Sequence, residues 1–129
     1  MDYKNSPKSP WNRLLNSFRY AGRGLYHAWT TERNIRIHTG AAILVLIAAW
    51  LLNVSTVEWL LLLFVIGMVI TLEMINTVIE RVVDLVSPEK NELAGQAKDV
   101  AAGAVLTVAT LAVIVGVIIF IPRVITLFY

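Results

Sequence analysis

Polar and apolar positions alternate in two distinct ways along this chain. Residues 37–57, IHTGAAILVLIAAWLLNVSTV, contain no Lys, Arg, Asp or Glu, and neither do residues 59–72 or 100–122. A helix needs about 20 residues to cross ~30 Å of hydrocarbon. The first and third stretches meet that length directly. The second does so when continued through ITLEMINTVIERVVDL to about residue 86. Three crossings are predicted. A soluble three-helix bundle fits poorly, because the first and third stretches have no polar face to turn toward water.

The front of the chain follows a helical period with two faces. After a turn-like leader, SPKSP, the residues Trp11, Leu14, Leu15, Phe18, Gly22, Leu25 and Trp29 fall within a sector of about 100° at 3.6 residues per turn. Asn12, Arg13, Asn16, Arg19, Tyr20, Arg23 and His27 take the other side. That pattern predicts an amphipathic helix lying on a membrane surface. The expected organisation is a leader and interfacial helix over 1–34, and a three-helix transmembrane core over 35–129.

Composition agrees with a membrane protein. Hydrophobic residues make up 57% of the 129 positions and charged ones 16%, with no cysteine to form a disulfide or a thiolate site. The net charge is only +2, but seven of the eleven Lys and Arg residues precede position 37. A basic front on an apolar chain points to an anionic lipid surface rather than to nucleic acid. Basic residues also occur at Arg81, Lys90 and Lys98, whereas the NVSTVE connection has none. The positive-inside rule then puts the N-terminus and residues 81–99 in the cytoplasm and the C-terminus outside. Asn53-Val-Ser matches a glycosylation pattern but reads more simply as a turn.

The chemistry concentrates in 70–85. With Glu73 at zero on a helical wheel, Glu80 falls at about −20°, Asp84 at +20°, Asn76 at −60° and Thr77 at +40°. Ionisable groups in a membrane helix are costly and mark function by default. A proton relay or ion pathway is one reading of such a face. A divalent metal would also neutralise the three acids, and oxygen-only ligands favour Mg²⁺ over zinc. Farther on, Ser87-Pro88 is expected to end one helix, Gly95 to interrupt the loop, and Lys98-Asp99 to open the next helix at an anion-favouring N-terminus. Lysine, carboxylates and Mg²⁺ at one level suit a polyphosphate. Neither a Walker loop nor a glycine-rich kinase loop is present.

EMINTVIERVVDL followed by AGQAKDVAAGAVL resembles the small integral-membrane diacylglycerol kinases of bacteria, over about residues 11–120. WTTERNIRIH resembles in particular the undecaprenol kinase branch of that family. The resemblance implies an all-α membrane protein of the bacterial cytoplasmic membrane, an interfacial helix plus three transmembrane helices, assembled as a homotrimer. It implies transfer from ATP to undecaprenol, or alternatively to diacylglycerol. By resemblance Glu73 is the catalytic base, and Glu32 and Glu80 hold the Mg²⁺ of the nucleotide. Arg13, Tyr20, Glu89, Lys98 and Asp99 match ATP-contacting positions, with Asn76 and Asp84 in support. At Asn91 the chain departs from the histidine common in the Gram-negative diacylglycerol kinases. On the residues alone, Glu32 would read as a salt-bridge partner, and His38 as structural.

Overall fold

The turn between the first two apolar stretches shows how local chemistry sets the fold. Asn53 adopts φ 48°, a left-handed conformation that asparagine tolerates better than most residues. The amide of Val54 bonds back to the Ala49 carbonyl at 3.2 Å, which closes the turn. Ser55 then caps the next helix. Its hydroxyl accepts from the Glu58 amide, and the Glu58 carboxylate accepts from the Ser55 amide at 2.7 Å. This reciprocal capping box satisfies two amides that a helix start otherwise leaves orphaned.

The computed structural model describes residues 9–89 and 91–128. In the described residues the order is α1 (Pro10–Thr31), α2 (Arg33–Leu51), α3 (Thr56–Val86) and α4 (Glu92–Phe128), all helical. The leader before Ser9, with Lys4 and Lys8, and Lys90 in the α3–α4 connection lie outside them. α2, α3 and α4 are each long and apolar enough to cross a membrane. α2 begins at Arg33 rather than at the start of the charge-free run, because charged residues sit comfortably in a helix beyond the hydrocarbon. Residues up to Arg33 form one unit and those from Asn34 onward another. In the first, α1 is a continuous helix with Trp11, Phe18 and Leu25 exposed.

In the second unit, α3 and α4 make the most extensive helix pairing. Its core lies toward the capping-box end of α3, where Ala49, Val54, Leu62 and Ile119 are buried with Trp59 and Phe120 packed against them. Two nitrogens of Arg123 on α4 grip both oxygens of Glu58 at 2.7 and 2.6 Å. Arg123 also donates to the Ile119 carbonyl at 2.9 Å, in the turn disturbed by Pro122. Outward-facing side chains such as Leu44, Trp50, Phe64 and Ile118 are large, apolar and exposed, as a lipid-facing surface requires.

α3 has 31 residues. At 1.5 Å per residue that is about 46 Å, so its ends project beyond a ~30 Å hydrocarbon layer. With Glu58 at one boundary, about 20 residues bring the other near Val78. Glu73 then lies roughly 7 Å inside the apolar layer and Glu80 roughly 3 Å outside it.

Candidate active site

The inward stripe of α3 changes character partway along. Leu62 and Val69 are buried near one end, and Glu73, Asn76 and Thr77 continue the same face. Glu73 is only 4% exposed, the most deeply buried charged residue among those described. Thr77 turns its hydroxyl back to the Glu73 carbonyl at 3.0 Å, leaving the glutamate side chain unencumbered by it. Asn76 donates from Nδ2 to a Glu80 carboxylate oxygen at 2.9 Å, while its Oδ1 is buried with no hydrogen-bond partner. A buried acceptor without a donor costs free energy, so it marks a place where an incoming donor is favoured.

One turn beyond Glu80, Asp84 leaves this arrangement and forms an ion pair with Lys98 of α4. Of the three acids that share a helical face, Glu80 is thus held by an amide and Asp84 by an ammonium. Among the described residues no group of three or more His, Cys, Asp or Glu side chains gathers to hold a metal ion. Such a site still fits Mg²⁺ brought in by a nucleotide. Mg²⁺ typically takes one or two protein carboxylates and completes its shell with phosphate oxygens and water. Every acidic donor here offers oxygen.

The start of α4 differs from the sequence expectation. It begins at Glu92, and Gly95, Lys98 and Asp99 all lie inside it. Asn91 provides the reason. Its Oδ1 accepts from the amides of Leu93 at 2.9 Å and Ala94 at 3.4 Å, an N-cap strong enough to carry the helix through Gly95. Two amides that could have held an anion are therefore occupied, and the positive charge of this region rests on the Lys98 side chain. Asn91 serves as the cap at the position where the resemblance expected histidine. Ser87 and Pro88 end α3 as anticipated, with the Ser87 amide bonded to the Val83 carbonyl at 2.8 Å.

A cleft at the α3–α4 connection is lined by Asp84, Ser87, Glu89, Asn91, Glu92 and Lys98, among others. It gathers Glu89, Asp84 and Lys98, and Asp99 is exposed on α4. His38 lies apart from the acids, lining an apolar groove with Ile70 and Val113. In the first unit, Arg13 and Tyr20 are exposed on α1. Glu32 is the single residue between α1 and α2, extended at φ −100° and ψ 119° and half-buried. Its amide bonds to the Ala28 carbonyl at 2.9 Å, and Thr31 donates to its carboxylate at 3.3 Å. Sequence reasoning missed the two ion pairs, Asp84–Lys98 and Glu58–Arg123. Of these, only the S-x-x-E capping signature at 55–58 left a trace in the sequence.

Comparison with known proteins gives this geometry a context. Residues 19–120 match the sequence profile of the family described as prokaryotic diacylglycerol kinase. The chain is 42% identical to the undecaprenol kinase of Bacillus subtilis, over 95% of this chain and 99% of that one. It is 44% identical to a diacylglycerol kinase of Synechocystis sp., over 93% of this chain and 71% of the relative. Against the diacylglycerol kinase of Escherichia coli strain K12 it is 35% identical, over 81% and 85% of the two chains.

Proposed function

The chain belongs to the prokaryotic diacylglycerol kinase family and is a membrane phosphotransferase for a lipid alcohol, and on that premise we propose that its acceptor is undecaprenol and its catalytic base Glu73. The observation that carries the reading is the burial of Glu73 on the stripe that also presents Asn76 and Glu80. A lipid hydroxyl starts at the polar edge of a bilayer, and Glu73, roughly 7 Å below that edge, meets it from the hydrocarbon side. ATP, the donor expected of a kinase, arrives from water, where Glu80, Asp84 and Lys98 stand.

Glu73 accepts the hydroxyl proton as the lipid oxygen bonds to the γ-phosphorus of ATP. The bond from that phosphorus to the β,γ-bridging oxygen breaks and ADP leaves, giving a lipid monophosphate. Burial excludes water from Glu73, so the lipid hydroxyl competes well as acceptor. Asn76 orients Glu80 through its amide and offers its free carbonyl oxygen to an incoming donor. Lys98 takes up phosphate charge at the cytoplasmic level. By family resemblance Glu80 and Glu32 are the carboxylates that would hold the Mg²⁺ of the nucleotide, and that ion would supply charge neutralisation at the transferring phosphoryl group. Arg13, Tyr20, Glu89 and Asp99 serve as nucleotide contacts by family resemblance. The working form is a homotrimer, with α1 on the cytoplasmic membrane surface and the α3–α4 connection also cytoplasmic.

Undecaprenol is favoured by near full-length correspondence with the Bacillus subtilis undecaprenol kinase and by the WTTERNIRIH segment. Diacylglycerol is the second reading, favoured by 44% identity to the Synechocystis diacylglycerol kinase. Transfer of label from [γ-³²P]ATP in mixed micelles, with both lipids in parallel, decides between them. The proposal requires kcat/KM for undecaprenol at least roughly tenfold above that for diacylglycerol, about 1.4 kcal/mol of discrimination. The opposite ratio would replace the substrate, and no labelled product with either lipid would overturn the reading.

A further inference from the structure

On α3, Asn76, Glu80 and Asp84 occupy successive turns at four-residue spacing. Each step is about 6 Å along the axis. The amide of Asn76 holds Glu80, and Asp84 holds the ammonium of Lys98, which reaches across from the second turn of α4. The α3–α4 ion pair therefore brings the one cation of the cleft, among its described residues, to a level one turn from the Glu80 carboxylate. The rest of the acidic lining, Glu89 and Glu92, would repel a polyphosphate, so the position of the Lys98 ammonium matters for whether the cleft accepts one.

We infer that Asp84 is a positioning residue for phosphoryl transfer: it holds the Lys98 ammonium where a polyphosphate must meet it. The inference rests on the proposed role of Lys98 toward ATP and adds the group that makes that role geometrically reliable. Lysine loses considerable rotamer freedom when it is fixed. Here part of that loss is met during folding, before any nucleotide binds. The ammonium has three donors. Asp84 takes one, and two remain for phosphate oxygens, so the carboxylate can orient the lysine without being displaced. Soluble protein kinases use the same logic when a helix glutamate holds the phosphate-binding lysine. Asp84 is 66% exposed and Lys98 34%. As an exposed pair it adds little to stability, which separates its positioning role from a structural one.

Steady-state kinetics in mixed micelles with Asp84→Asn, Asp84→Glu, Lys98→Met and the double variant Asp84→Asn/Lys98→Met test this. Asp84→Asn should raise KM for ATP roughly 3- to 10-fold, the scale set by freeing one rotamer-rich side chain, with KM for the lipid and the melting temperature unchanged. Asp84→Glu should recover part of the loss. Lys98→Met should raise KM for ATP further, and the double variant should be no worse than Lys98→Met alone. A wild-type or lowered KM for ATP in Asp84→Asn, beside a defective Lys98→Met, overturns the positioning role while leaving Lys98 at the phosphates. Additive losses in the double variant overturn it too, because Asp84 would then act independently of Lys98. A Lys98→Met enzyme with wild-type KM for ATP instead refutes the underlying reading of Lys98, and the inference with it.

Discussion

Replacing Glu73 by glutamine separates base catalysis from every other role that residue could have. The side chain is 4% exposed, and glutamine matches its shape, so the packing of α3 against its surroundings is preserved. The swap replaces an ionisable group by a neutral amide of the same shape in an apolar environment, so folding stability should hold or rise. What it removes is the proton acceptor. A positioned general base contributes about 10²–10⁴ in rate, equivalent to roughly 2.7–5.4 kcal/mol of barrier at 1.36 kcal/mol per decade. The expected variant therefore binds ATP with a KM within about twofold of wild type and loses at least two decades in kcat. Glu73→Asp keeps the carboxylate but withdraws it by about one bond length. A misplacement of about 1 Å can cost up to ~10², so this variant should fall between the two. The assay is label transfer from ATP to lipid in micelles, with melting followed by intrinsic tryptophan fluorescence. A glutamine variant within tenfold of wild-type turnover would refute the assignment of the base, whatever its stability.

Two further outcomes follow from parts of the fold distant from that proton. Arg123→Met severs the bidentate pair with Glu58 at the opposite end of α3, so detergent-solubilised protein should melt at lower temperature, while KM for ATP stays at the wild-type value. A changed KM would show that the two ends are coupled. Asn91→Ala removes the cap from the first turn of α4. It should cost about 0.5–2 kcal/mol of helix-end stability, seen as faster amide hydrogen exchange at residues 92–96, and unchanged exchange there would contradict the capping role.

The membrane spans were legible because charge-free runs of sufficient length have few alternatives in any fold. The carboxylate stripe was legible for a similar reason: helical periodicity alone puts residues 73, 76, 77 and 80 on one side of α3, and three of the four are buried. Element starts were harder. Gly95 looked like an interruption and Lys98 like the helix start, yet the bonds from the Leu93 and Ala94 amides to Asn91 start α4 at Glu92, six residues before Lys98. A glycine inside a helix costs only about 1 kcal/mol, and a good cap supplies as much. The two ion pairs were invisible because they join residues 14 and 65 positions apart, and nothing local in the sequence encodes which helices meet. Only the packing of α3 on α4 does so.

That packing puts firmness and chemistry at opposite ends of one helix. At the Glu58 end, α3 is fixed by the capping box, by the bidentate grip of Arg123 and by a core in which Ala49 and Leu62 are almost wholly buried. At the other end the ion pair between α3 and α4 is the exposed Asp84–Lys98 contact, beside the buried Asn76 and Thr77 of α3 and Ala101 and Val105 of α4. Such pairs contribute about 0–1 kcal/mol, so the ion pair at this end fixes the helices less firmly than the bidentate pair and core fix the other. A lipid alcohol must enter from the bilayer and its phosphorylated product must leave by the same plane. The fixed end holds α3, and with it Glu73, at one depth through both events.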